Sequence, residues 1–288
     1  SARQAWNWES TYPAPAKRKL FLHVTGRRDD GYHLLQTLFR FVGHGDRLRF
    51  SPRNDGDLRL AAHLPNVPPE TDLCLRAARL LREETGCRQG VDIHVEKRLP
   101  LGGGLGGGSS DAATVLLALN HLWRLGLPRQ RLQALGLSLG ADVPVFLFGR
   151  NAFAEGVGEI LQPVEMPSAW YVVLEPPVAI PTAVIFSAPE LRRDTPSIRL
   201  DDCQPWHAGF GRNDLEPVAV ARFPVLAEYL AWLGRFAPAR MTGSGACLFA
   251  EFALRDAAQA VIDALPAGMR GWLAAGLSTH PLQALADD

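Results

Sequence analysis

The spacing of apolar positions changes several times along the chain, and each change predicts an element. Leu20 to Val24 reads as a strand, with a turn over Thr25–Gly31. Two further strand-like runs follow, Leu34–Val42 and Asp46–Phe50. Asn54-Asp-Gly56 is a hairpin signal, which makes Leu58–Leu64 the return strand and Pro65–Pro69 a loop. From Asp72 to Glu84 the spacing turns helical, with Leu73, Ala77, Leu80 and Leu81 on one face. Val91, Ile93 and Val95 then alternate with Asp92, His94 and Glu96, as in a half-buried strand.

A helix is predicted from Ser110 to Trp123, stopped by Gly126-Leu-Pro128, and a second from Pro128 to Leu139, after which Val143-Pro144 is expected to end regular structure. Asn151–Val164 reads as a hairpin and Trp170–Leu174 as a strand. Helices follow near Asn213–Ala221, Pro224–Leu233 and Leu254–Ala264. Strands and helices are mixed without a regular β-α-β order, so the expected class is α+β. Pro163–Pro167 is the best boundary between two lobes, residues 1–163 and 164–288.

Composition narrows the function. The 288 residues are 47% apolar and 21% charged, ordinary for a folded domain with a sizeable core. Thirty basic and thirty acidic side chains give zero formal charge, without the basic excess that holds a nucleic-acid backbone. Nucleic acid is therefore not the expected partner. Cys74, Cys87, Cys203 and Cys247 are scattered, which argues against a disulfide framework or a zinc site. No run of 18 apolar residues suggests a membrane span, and the first ten residues lack a signal-peptide stretch. The expectation is a cytoplasmic protein, monomeric or homodimeric.

The densest chemical signal is Pro100, Leu101, Gly102, Gly103, Gly104, Leu105, Gly106, Gly107, Gly108, Ser109 and Ser110. Glycines let other atoms approach the backbone closely, so successive N–H groups can converge on an anion. Ser109 and Ser110 are good caps for the following helix, whose N-terminus favours negative charge. Between a strand and an apolar helix this is a phosphate cradle rather than a linker. It lacks the Gly-Lys-Ser/Thr ending of a Walker loop. Its match to the dinucleotide fingerprint carries little weight among so many glycines.

The strand, glycine loop, Ser-Ser and helix resemble the second motif of the GHMP kinases. Pro15-Ala-Lys17 resembles the first motif and Met241-Thr-Gly-Ser-Gly-Ala-Cys247 the third. Gly31-Tyr-His-Leu-Leu-Gln-Thr37, Gly140-Ala-Asp-Val-Pro-Val-Phe146 and Phe153-Ala-Glu-Gly-Val-Gly-Glu159 look like the branch that phosphorylates a cytidine diphosphate ester of methylerythritol. The resemblance implies a two-lobed fold with its site in the cleft, and ATP with Mg²⁺ as the phosphoryl source.

It also implies roles. Asp142 would accept the proton of the acceptor hydroxyl, and Lys17 beside it would steady the moving phosphoryl group. The glycine loop, Lys97, Gly243 and Gly245 would line the nucleotide site, with Asp72 a further candidate on the adenosine side. Tyr32, His33 and Phe186 would hold the cytosine, and Thr182 the erythritol end. No acidic pair stands out as a metal ligand.

The chain departs from the family pattern at Arg18, where an aliphatic residue is usual, and at Lys19, where Asn is usual. Strand alternation would put Lys17, Lys19, Phe21 and His23 on one face and Arg18, Leu20, Leu22 and Val24 on the other. Lys19 would then reach the site and compete with Lys17 for Asp142. Two other readings stand beside this one: a GHMP kinase for homoserine, mevalonate or a sugar, and a nucleotide- or RNA-binding module without catalysis.

Overall fold

The computed structural model describes residues 2–61 and 72–288. The loop expected at residues 65–69, and the end of the return strand beyond residue 61, lie outside them. The first lobe is built on β1 (Tyr12–Arg27) and β2 (His33–Arg53), paired antiparallel along their length. Further along come β3 (Leu58–Leu60), α1 (Leu73–Thr85), β4 (Gly90–Glu96), α2 (Gly107–Leu122), α3 (Arg129–Leu139) and α4 (Val143–Phe148). A hairpin of β5 (Ala152–Glu155) and β6 (Ile160–Pro163) completes the six-stranded sheet. In it β1 and β4 pair with β2, and β3 runs parallel to β4.

The second lobe starts with β7 (Trp170–Leu174), then α5 (Thr182–Phe186), α6 (Glu216–Arg222) and α7 (Val225–Gly234). It ends with β8 (Ala239–Met241), β9 (Leu248–Phe252), α8 (Arg255–Asp263) and β10 (Gly271–Ala275). Its sheet has the order β10-β7-β9-β8 and is antiparallel throughout. One core lies between the first sheet and α1–α4, and another between the second sheet and its helices. A third core joins the two sheets, with Leu20 and Phe21 of β1 against Tyr171, Val173 and Phe249. The mixed layers agree with the α+β expectation.

Local chemistry explains where the expectations differ. The runs 34–42 and 46–50 are one continuous strand, because Gly43 and Gly45 keep β2 extended beside β1. A Cβ on Gly45 would fall 2.1 Å from Ala14 O, so only glycine fits there. Val143-Pro144 does not end regular structure; it starts α4, because proline is tolerated in the first turn of a helix. The alternation of β1 holds from Lys17 to Lys19 and breaks at a register shift between Lys19 and Leu22, so Phe21 joins Leu20 in the inter-sheet core. Among the described residues no helix is long and apolar enough to cross a membrane.

Candidate active site

The glycine loop closes over β1. Lys17 N donates to Leu105 O at 3.0 Å, and Lys17 Nζ donates to Gly104 O at 3.2 Å. Gly106 has φ +72°, and a Cβ there would lie 2.8 Å from Lys17 Cε. Gly104 has φ +78°, and its Cβ would meet Thr242 O at 2.3 Å. At these two positions both conformation and space demand glycine. Gly107 has room by comparison, its nearest neighbour being Leu99 Cβ at 3.4 Å.

The helix cap differs from expectation. α2 begins at Gly107 with Gly106 as its N-cap, so Ser109 and Ser110 sit inside the first turn. Ser110 is buried and its Oγ donates to Pro15 O at 2.7 Å, tying the helix start to the first motif. Ser110 N donates to Gly106 O at 2.7 Å, while helix geometry leaves the N–H groups of Gly107, Gly108 and Ser109 without an intrahelical acceptor, the arrangement that favours an anion.

The third motif holds the loop from the other lobe. Cys247 N donates to Gly103 O at 3.0 Å, and Lys19 N donates to Thr242 Oγ1 at 3.0 Å. Asn213 fixes the turn: its Nδ2 donates to Met241 O and Gly243 O, each at 2.8 Å, while its Oδ1 accepts from Leu215 N. Gly245 is buried against Met241 rather than facing the cleft.

Asp142 stands where two cavities meet. Lys17 Nζ lies 3.2 Å from one carboxylate oxygen and Lys19 Nζ 3.3 Å from the other. Both ammonium groups also lie over the Phe39 ring, at 5.8 and 5.6 Å. Burial alone would raise the Asp142 carboxyl, but the two ammonium groups more than reverse this and hold it well below its usual range. Burial pushes the Lys17 ammonium down to about 8, against the pull of Asp142.

On one side of this cluster a cavity of about 280 Å³ is lined by the glycine loop, Lys97, Gly243 and Ser244. Leu105, Ser110 and Gly245 do not line it; they support it from behind. Lys97 bridges Asp46 at 2.7 Å and Asp111 at 3.0 Å, and Asp46 also accepts from the backbone N–H groups of Arg98 and Leu99. This clamp fixes the chain entering the loop. Asp72 caps α1, accepting from Cys74 N and Leu75 N, so its carboxylate already has partners.

On the other side a cleft of about 640 Å³ is lined by Tyr32, His33, Phe186 and Thr182. The His33 and Phe186 rings lie 4.8 Å apart, and Tyr32 is 61% exposed under the Arg28 guanidinium. Thr182 Oγ1 shares a 3.0 Å hydrogen bond with Ser244 Oγ, joining the two cavity walls. Lys19, Ser109, Asp142, Thr182 and Phe186 line both cavities.

Sequence reasoning missed Asp46, Arg193 and Asn213. Each acts through contacts far along the chain: Asp46 holds Lys97, Arg193 holds His33, and Asn213 holds the third motif. Asn213 was read only as the start of a helix, which instead begins at Glu216.

The glycine loop, the Lys17–Asp142–Lys19 cluster and the aromatic cleft come together between the two lobes. Family models match the GHMP kinases N terminal domain over residues 72–150 and the GHMP kinases C terminal over residues 195–271. The chain belongs to the GHMP kinase family and is a small-molecule kinase.

Curated relatives are similar over nearly their whole length. The 4-diphosphocytidyl-2-C-methyl-D-erythritol kinase of Dechloromonas aromatica (strain RCB) is 61% identical over 94% of this chain and 98% of its own. That of Thiobacillus denitrificans is 61% identical over 94% of this chain and 96% of its own. A solved structure of 4-(cytidine 5'-diphospho)-2C-methyl-D-erythritol kinase superposes with TM-score 0.81 at 38% identity, covering 93% of this chain and 99% of its own. Homoserine kinase from Cytophaga hutchinsonii shares the fold, with TM-score 0.66 at 17% identity over 94% of each chain.

Proposed function

We propose that this chain transfers the γ-phosphoryl group of ATP to the 2-hydroxyl of 4-diphosphocytidyl-2-C-methyl-D-erythritol, a step of non-mevalonate isoprenoid synthesis. The single observation that carries the chemistry is the Lys17–Asp142–Lys19 cluster where the loop cavity and the aromatic cleft meet. The relatives' names supply the particular acceptor.

In this reading the triphosphate lies in the loop cavity against backbone N–H groups of the α2 start. The cytosine lies in the cleft among Tyr32, His33 and Phe186, which orients the erythritol hydroxyl toward Asp142. Asp142 accepts a hydrogen bond from that hydroxyl and takes its proton as the phosphoryl group arrives. A carboxylate so acidic is a weak base, which suits a loose transfer in which the hydroxyl sheds its proton late. Lys17 turns its ammonium group toward the charge on the moving oxygens, while Lys19 holds the other carboxylate oxygen of Asp142.

Among the described residues no three His, Cys, Asp or Glu side chains gather to hold a metal. Asp142, the carboxylate at the meeting point, already faces two ammonium groups. The described residues therefore offer no ready carboxylate cage for Mg²⁺. A metal would arrive with ATP, whose phosphates supply ligands that Mg²⁺ accepts readily.

The test is an ADP-release assay with ATP and separate acceptors. The cytidine diphosphate ester of methylerythritol should turn over, while homoserine, mevalonate and galactose should not. Turnover of one of those three, with the cytidine ester inert, would replace this reading with another branch of the family.

A further inference from the structure

His33 lines the aromatic cleft, yet one edge of its ring is already engaged. Arg193 Nε lies 3.0 Å from His33 Nε2. The same guanidinium donates from Nη2 to Phe186 O at 2.7 Å and Ala188 O at 3.0 Å, and from Nη1 to Leu191 O at 3.2 Å. It is thus anchored to the segment that carries Phe186, and it joins both rings of the cleft.

A guanidinium has five N–H donors and no acceptor. His33 Nε2 must therefore present its lone pair, because a protonated Nε2 would set N–H against N–H. The ring is neutral and its one proton sits on Nδ1. Nδ1 has no hydrogen-bond partner among the described residues. Burial, with the charges of Arg193 and Arg27, pushes the imidazole pKa down, which agrees with a neutral ring.

We propose that Arg193 is a specificity-determining positioning residue: it fixes His33 as an Nδ1–H donor aimed at a pyrimidine whose N3 is an acceptor, and so selects cytosine over uracil. The inference rests on the reading that the cleft holds the base of the acceptor. Cytosine carries a lone pair at N3, whereas uracil carries N–H there and would meet the imidazole N–H head on. A site built around one hydrogen bond rejects the ligand that leaves its donor unpaired. Without Arg193 the ring is free to place its proton on Nε2, and its Nδ1 lone pair would then accept from uracil.

The test is calorimetric titration of CDP and UDP into the wild-type chain, Arg193→Met and Arg193→Lys. The wild type should prefer CDP by at least about tenfold, the worth of one hydrogen bond. Arg193→Met should bring the ratio close to one by weakening CDP, and Arg193→Lys should keep part of it. ¹⁵N spectra of the wild-type imidazoles should show His33 protonated at Nδ1, and this decides the matter even if the variants fold poorly. Absence of CDP binding to the wild type would overturn the pyrimidine reading and this inference together. Wild-type preference for CDP with His33 protonated at Nε2, or with the full ratio kept in folded Arg193→Met, would overturn the role of Arg193 alone.

Discussion

On the cleft face of β1, Lys17 and Lys19 share the carboxylate of Asp142; on the opposite face, Arg18 points into the core between the two sheets. Arg18 is 0% exposed, and its surroundings are Trp272 at 5.0 Å and a single hydrogen bond from Nη1 to Lys17 O. Among the described residues its Nε and Nη2 have no partner. Three cations in consecutive or near-consecutive positions thus meet two environments. Where a counter-charge faces the strand, the cation is paired. Where apolar side chains face it, the cation costs stability, because buried donors lose water and gain nothing in return.

The largest effect expected from this contrast is on stability. Arg18→Leu replaces an underpartnered buried cation with the aliphatic side chain its surroundings suit, and should stabilise the fold by about 1–4 kcal/mol. Urea unfolding of the variant beside the parent measures it. Catalytic turnover should stay within about twofold, because Arg18 faces away from the cleft. A variant no more stable than the parent would mean that the buried guanidinium is better satisfied than its surroundings indicate.

The next effect is on pH dependence. Lys17 is charged below about 8 and loses its proton above that pH, since burial lowers its pKa. If the ammonium is needed, kcat/KM should fall about tenfold per pH unit on the alkaline side. The profile of kcat should bend at higher pH, because a bound triphosphate favours the charged form. Arginine keeps its charge over this range, so Lys17→Arg should lose the alkaline bend even if its overall rate is lower. A kcat/KM profile flat to pH 10 would remove Lys17 from the reaction.

Lys19 should show the smallest effect. Its ammonium holds one Asp142 oxygen and helps depress that carboxyl. Lys19→Asn frees the oxygen to position the acceptor hydroxyl and supplies a group that both donates and accepts. The variant should show kcat raised by up to about tenfold, equal to 1.4 kcal/mol. A lower kcat at saturating substrates would make Lys19 a working phosphate ligand instead. Arg18→Leu combined with Lys19→Asn should add the separate effects, since the two side chains lie on opposite faces and share no partner.

The same contrast shows what was legible in the sequence. Alternation along β1 places Lys17 and Lys19 together, and the glycine run by itself marks the loop. β7 was readable to the residue, because Trp170–Leu174 is an apolar run with clear limits. What failed was local chemistry with two outcomes. Val143-Pro144 can stop a chain or open a helix, and only the packing of α4 against α2 and α3 decides. Ser109 and Ser110 suit a helix cap, but the left-handed Gly106 took that position. The supporting residues were hidden for a different reason. Arg193 meets His33 across 160 positions, and Asp46 meets Lys97 across 51, so no local pattern announces either contact.

The proposed phosphoryl transfer depends most directly on Asp142. Single-turnover phosphorylation of the cytidine diphosphate ester, with the ATP dissociation constant measured in parallel, tests it in the Asp142→Asn chain. Asparagine keeps the shape and removes both the negative charge and the proton acceptor. The rate should fall by about 10²–10⁴, the range for losing a general base, while ATP affinity changes by less than about threefold. A rate equal to the parent's would show that the proton leaves by another route, and that the cluster where the two cavities meet is not the centre of the reaction.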